Sequence, residues 1–237
     1  MGEPGPYATA PAVATRLAEL KATIALAARA AGRDPQDVTL VAVVKGVAPA
    51  LVAAAHAAGA RHLAHNRVPE ALALQAALGP LDPPPCWHMV GHLQRNKVRR
   101  ALDAFDTLDS LDSWRLAQAL DAAAGAAGRI LPVLLEVNVS GEPAKQGVAP
   151  EELPALAEAV AASTHLSVAG LMGLGPLTAD PGAVRAAFER LAALRLDLAL
   201  ALGRPLPRLS MGMSGDFTLA IAAGATEVRL GQALFAP

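Results

Sequence analysis

Eight segments rich in β-branched and apolar residues, each separated from the next by a stretch of helical periodicity, run along this chain to its last residues. Few folds accept that pattern. The strand segments fall at about 39–45, 62–66, 87–91, 106–108, 133–139, 167–173, 208–212 and 227–231. Helical stretches occupy 50–58, 68–78, 94–102, 113–124, 150–162, 181–202 and 216–223, after a leading helix over about 13–31. Gly, Pro or Asp punctuates most of the joints. Eight strands alternating with helices are what a closed parallel barrel requires, so the expected fold class is α/β, a single (β/α)8 TIM barrel with an extra N-terminal helix. Strand four is the least marked segment, and a doubly wound open sheet is the competing topology. No Pro/Gly-rich linker divides the chain, which predicts one domain over 1–237 with a flexible lead at 1–12.

Composition narrows the class of protein. The chain is 53% hydrophobic yet only 3% aromatic, so its apolar character comes from Ala and Leu, which suit tight helix-on-sheet packing. Mean hydropathy is +0.36, but charges such as Lys21, Arg29, Arg190 and Arg195 interrupt every long apolar stretch, and no uninterrupted run of about 20 residues is left to span a bilayer. Twenty Lys and Arg against 21 Asp and Glu leave no global field to hold a polyanion, so nucleic acid is an unexpected partner. The one cysteine, Cys86, has no partner for an internal disulfide, and residues 1–11 lack the basic and apolar regions of a signal peptide. The expected compartment is the reducing cytoplasm.

In both competing architectures the chemistry sits at the carboxyl ends of the strands, and several of those ends carry unusual residues. Val41-Ala42-Val43-Val44 leads directly into Lys45. A lysine that ends a buried strand either becomes a Schiff-base nucleophile toward an aldehyde or lies on the rim with its head in water, and position alone favours the second. The run from Ser210 to Asp216, Ser-Met-Gly-Met-Ser-Gly-Asp, ends a strand, turns on small residues and opens a helix. Such a turn presents backbone N–H groups to an anion, although Ser214 or Asp216 could equally serve only as a helix cap. Gly231-Gln232 after the eighth strand offers a second such turn, and barrels commonly bind phosphate after strands seven and eight. A reactive lysine and a phosphate cup on one rim together suit an aldehyde phosphate.

The order of motifs carries a resemblance. Leu40 to Lys45 (Leu-Val-Ala-Val-Val-Lys), Trp87 to Lys97 (Trp-His-Met-Val-Gly-His-Leu-Gln-Arg-Asn-Lys), Ser110 to Ser113, Val137 to Ser140, Gly170 to Met172, Ser210 to Ser214 with Asp216, and Val228 to Gly231 together resemble the pyridoxal 5′-phosphate (PLP) homeostasis family, whose fold is similar to the N-terminal barrel of alanine racemase. The resemblance implies a PLP-binding protein that stores, buffers or delivers the cofactor. It implies that Lys45 holds PLP as an internal aldimine, that Ser214, Gly231 and Gln232 lie at the phosphate with Ser210 and Met211 nearby, and that Arg229 faces the pyridine nitrogen. Asn66, His88 and Met172 are assigned to the cofactor site on the same ground. Without the resemblance, Arg229 would read as a rim salt bridge with Glu227 or Asp216. The chain departs from the family pattern at Ala64-His65-Asn66-Arg67, where an acidic and an aromatic neighbour of Asn66 are replaced, and at Lys145-Gln146-Gly147.

His88 and His92 lack a convincing third ligand and read as a hydrogen-bonding rim residue and part of a turn, and Cys86 as a small apolar residue. Residues 94–100 carry four cations without interleaved aromatics, which reads as a solvated face that could attract a ligand's phosphate. Two-base racemisation needs a second acid/base, a tyrosine that alanine racemases of this fold take from an additional domain. Here the one tyrosine, Tyr7, stands ahead of the barrel. The expectation is therefore a non-catalytic PLP carrier and a monomer, with PLP-dependent apoenzymes as recipients; a weak amino-acid racemase or a Schiff-base lyase is the alternative.

Overall fold

The computed structural model describes residues 9–142 and 145–236. Eight parallel strands pair in sequence order and β8 returns to β1, closing the barrel. The strands are β1 (Thr39–Val43), β2 (His62–His65), β3 (Cys86–Met89), β4 (Thr107–Leu111), β5 (Leu131–Val137), β6 (Leu166–Gly173), β7 (Arg208–Ser210) and β8 (Glu227–Leu230). Between them run α2 (Pro49–Ala57), α3 (Val68–Leu78), α4 (Val98–Ala104), α5 (Trp114–Ala126), α6 (Leu153–Ala161), α7 (Pro181–Ala201) and α8 (Phe217–Ala222), with α1 (Ala10–Ala30) ahead of β1 and α9 (Gln232–Phe235) after β8. Pro occupies the first turn of α1, α2, α3, α6 and α7, where its missing N–H removes no helical hydrogen bond.

The helix ring closes through α1. Val13, Leu17, Ile24 and Ala28, spaced four or seven residues apart, form its buried stripe, and that helix packs against α2, α8 and α9 to cover the seam between β8 and β1. The outward sheet face supplies Leu40, Ala42, Leu63, Leu135, Leu171 and Leu209 to one continuous core with the helices. Val41, Ala64, Leu134 and Met172 are equally buried but stand outside that core, inside the barrel. Among the described residues, no helix is long and apolar enough to cross a membrane.

The strands leave the sheet earlier than their sequence pattern predicts. β1 ends at Val43, and Lys45 sits in a turn that the Val47 N–H closes onto the Val44 carbonyl. β2, β3, β7 and β8 likewise stop one or two residues short, because the chain bends away at the mouth. Strand four is shifted rather than shortened. It begins at Thr107, after the exposed Asp106, whose carboxylate accepts the Trp87 N–H while its own N–H donates to the Trp87 carbonyl, and it continues to Leu111 through the buried Asp109 and Ser110. The cationic stretch opens with a 3₁₀ turn, Arg95–Lys97, before α4. Helix α1 begins at Ala10, within the expected lead over 1–12; Tyr7 lies outside the described residues.

Candidate functional site

Barrel closure decides which side chains face inward. Arg208 on β7 donates to Asp109 on β4 at 2.9 Å, a bond that must cross the interior. Positions sharing their parity therefore face the axis: Ser210 beside Arg208, Arg229 beside Glu227, and, by register, Met172 opposite Ser210 and Glu136 opposite Met172. TIM barrels usually fill this space with branched apolar residues. Here much of it is polar.

At the amino ends of the strands, His62, Thr107, Arg208 and Glu227 are first residues of β2, β4, β7 and β8. The Arg208 guanidinium binds Glu227, Thr107 Oγ1 at 2.8 Å and Asp109. His88 donates from Nδ1 to Asp109 Oδ2 at 2.7 Å and its Nε2 meets His62 Nδ1 at 3.0 Å. Burial works against a charge on His88, but the Asp109 carboxylate outweighs it and pushes the imidazole up to about 10. Burial works against charge on Asp109 as well, and the His88 and Arg208 cations overcome it, holding its carboxyl down at about 2. His62, desolvated and facing His88 and Arg208, is lowered to about 4. His88 thus donates through both nitrogens, one to a carboxylate and one to a neutral imidazole.

Toward the carboxyl ends the barrel opens into a mouth. Arg229 is buried and donates to Ser210 Oγ at 2.7 Å and to the Gly173 carbonyl at 3.0 Å, so its guanidinium is clamped between β7 and β6. Burial lowers its proton affinity. No ion pair joins it to Glu227 or Asp216 among the described residues; Glu227 belongs to Arg208, and Asp216 Oδ1 accepts the Met213 N–H at 2.6 Å. The loops after β7 and β8 are tied together where Ser214 Oγ accepts the Ala233 N–H at 3.1 Å. Gly212, at φ +92, brings its loop so close to α8 that an added Cβ would lie 2.6 Å from the Cβ of Ala220.

Of the four lysines in the sequence, Lys21 donates to the Gly59 carbonyl and Lys145 is held by Glu142 and the Gly175 carbonyl. Lys97 follows the third strand, beside a cavity of about 510 Å³ that Asn66, Gly91 and His92 also line. Lys45 keeps the inward parity of Val41 and Val43, but stands beyond the ladder and exposed. Gly231 packs against the end of β1, where a Cβ would be 3.1 Å from the Val43 carbonyl, so the phosphate-type turn after β8 and the lysine turn after β1 are neighbours.

Ser210, Met172 and Arg229 thus line the interior below the mouth, with Lys45, Ser214, Gly231 and the exposed Gln232 around it. Asn66 is packed so tightly against Gly91 that a Cβ there would approach the Asn66 carbonyl oxygen to 2.5 Å. Two expectations change. His88 is a buried interior residue rather than a rim residue, because its ring is drawn to Asp109 and His62. Met211 turns its side chain into the helix–sheet core, leaving its backbone as what it offers the mouth. His65, on the outward parity of β2, accepts the Arg67 N–H with Nδ1 and is not an interior residue.

Sequence reasoning missed Glu136. Its carboxylate accepts no hydrogen bond among the described residues; burial and the nearby Asp112 raise it to about 7, with Arg229 pulling the other way. A carboxyl raised in the folded state contributes stability fully present below its ordinary 4.5 and lost as pH rises through about 7. Glu136→Gln is therefore expected to gain on the parent by on the order of 3 kcal/mol between about pH 4.5 and pH 8. Urea titrations of cofactor-free protein across that range check this, and parallel stability curves would show that the carboxyl is not held protonated.

A family model, the N-terminal domain of alanine racemase, matches residues 15–237. A pyridoxal phosphate homeostasis protein from Pseudomonas aeruginosa is 48% identical over 223 residues, covering 94% of each chain. Among solved structures, PipY of Synechococcus elongatus is 38% identical and covers 94% of this chain and 99% of its own, with TM-scores of 0.86 without PLP and 0.83 with PLP bound. D-threonine aldolase from Filomicrobium marinum, at 21% identity and a TM-score of 0.74, shares the fold over 94% of this chain but only 60% of its own.

Proposed function

The chain belongs to the alanine racemase N-terminal domain family and, within it, to the pyridoxal phosphate homeostasis proteins, and from that membership we propose that it binds PLP at the barrel mouth and holds it for delivery rather than for catalysis. The observation that carries this reading is the convergence of one exposed amine, Lys45, with the Gly231 turn and the clamped Arg229 at the same end of the barrel.

PLP brings an aldehyde that reacts with amines and a pyridine ring that withdraws electrons. Lys45 supplies the amine, and Ser214 with the Gly231 and Gln232 backbone would hold the phosphate. Asn66 and Met172 line the cofactor's surroundings, and Ser210 orients Arg229 through its hydroxyl. Arg229 is the residue toward the pyridine nitrogen. A guanidinium carries only donors and gives up no proton readily, so it disfavours protonation of the ring and weakens it as an electron sink. His88, committed to Asp109 and His62, would act there only through its neighbours.

The recipients in this reading are PLP-dependent apoenzymes in the cytoplasm. The working form is a monomer, in keeping with exposed apolar side chains such as Leu26, Trp114, Ile130 and Leu200 standing on separate elements. The test is transfer: purified protein takes up one equivalent of PLP, and the loaded protein then restores activity to a PLP-depleted aminotransferase while turning over free amino acids far below about 1 s⁻¹. Failure to bind overturns the reading, and turnover at or above that rate overturns its non-catalytic part.

A further inference from the structure

Apart from the indirect part given to His88, the polar cluster at the amino ends of the strands has no role in that reading. Cys86 and His88 stand two residues apart on β3 and so project to the same face, while His62 on β2 is the register partner of Cys86. One ligand atom from each of His62, Cys86 and His88 lies within 4.8 Å of the other two, and His62 Nδ1 stands 3.0 Å from His88 Nε2. Tetrahedral zinc, with bonds of about 2.0–2.1 Å to nitrogen and 2.3 Å to sulfur, separates such ligand atoms by about 3.3–3.6 Å, within reach of small side-chain rotations.

We propose that His62, Cys86 and His88 form a zinc site at the amino-terminal end of the barrel, with water completing a tetrahedron. One borderline-soft thiolate and two imidazoles select Zn²⁺ over the hard cations that prefer oxygen. The outer partner is also in place: Asp109 takes the Nδ1 proton of His88 at 2.7 Å, which directs Nε2 at the metal, and Thr107 and Arg208 hold Asp109. Binding conserves local charge. Zn²⁺ enters as the Cys86 thiol and the Nε2–H of His88 each release a proton to solvent, so two positive charges replace two. His62 also lines a cavity of about 280 Å³ together with Ile24, Val38 and Thr39. The neighbouring trio of His88, Asp109 and Glu227 is not a competing site, because the Arg208 guanidinium already bonds both carboxylates. The proposal is independent of cofactor binding at the opposite end.

The test uses the full chain stripped of metal and titrated with Zn²⁺ against a chromophoric chelator, and in parallel with Co²⁺. One equivalent of Zn²⁺ should bind, and Co²⁺ should produce a thiolate-to-metal charge-transfer band. Cys86→Ser should abolish that band, and both it and His62→Ala should weaken Zn²⁺ at least about tenfold, the scale on which even a lost outer hydrogen bond acts. His165→Ala, on the barrel's exterior beside Gly125, should change nothing. Absence of the charge-transfer band in the unmodified protein, or Zn²⁺ binding indifferent to both substitutions, overturns the site without reference to how any variant folds.

Discussion

Asp109→Ala is expected to cost about 3–5 kcal/mol of folding stability, read as a shift in the urea midpoint at unchanged slope. Asp109 is fully buried and is the acceptor for His88, Thr107 and Arg208 at 2.7, 2.9 and 2.9 Å. Its removal leaves Arg208 with Glu227 as its one carboxylate partner, beside the Thr107 hydroxyl, and strips His88 of the charge that holds its second proton. Because the Arg208–Asp109 bond joins opposite walls, the loss falls on closure of the barrel. Asp109→Asn, which keeps an acceptor but not the charge, should fall between the two. A cost under about 1 kcal/mol for the alanine variant would mean that the network contributes little beyond filling space.

Lys45→Ala is expected to do the opposite: abolish function and leave the fold alone. The visible band near about 420 nm that a lysine-linked cofactor gives should disappear completely, whatever the excess of PLP added. Stability should change by less than about 0.5 kcal/mol, since Lys45 is exposed, lies in a turn beyond the ladder, and adds nothing to the apolar core. Absorbance and urea titration on the same preparations separate the two effects. A variant that keeps the band would assign the amine to Lys97 or to another lysine.

Much of this was legible in the sequence, and the remainder was hidden for an identifiable reason. The Val-, Leu- and Ala-rich blocks announce eight strands because both faces of a parallel strand are buried. The same blocks overshoot at Lys45, Asn66 and Gly212, where the residue pattern still reads as strand while the backbone has already bent into the mouth. Lys45 was conspicuous as a charge ending an apolar run. Asp109, Glu136 and Arg208 are also charges set in apolar segments, yet their meaning depends on what faces them. Arg208 and Asp109 lie 99 residues apart and meet only when the sheet closes. From its own neighbourhood His88 reads as a rim group, whereas His62, 26 positions earlier, and Asp109, 21 later, draw it to the interior. Local pattern reveals elements and solitary charges; pairs across a barrel axis need the closed topology.

The central claim, that this barrel holds PLP through Lys45 at its mouth, is tested most directly by reducing the PLP-loaded protein with borohydride and locating the label by peptide mass. The account predicts one reduced pyridoxyl group per chain, carried by the peptide containing Lys45 and absent from those containing Lys21, Lys97 and Lys145. An unlabelled Lys45, or a label spread over the other three lysines, would contradict it.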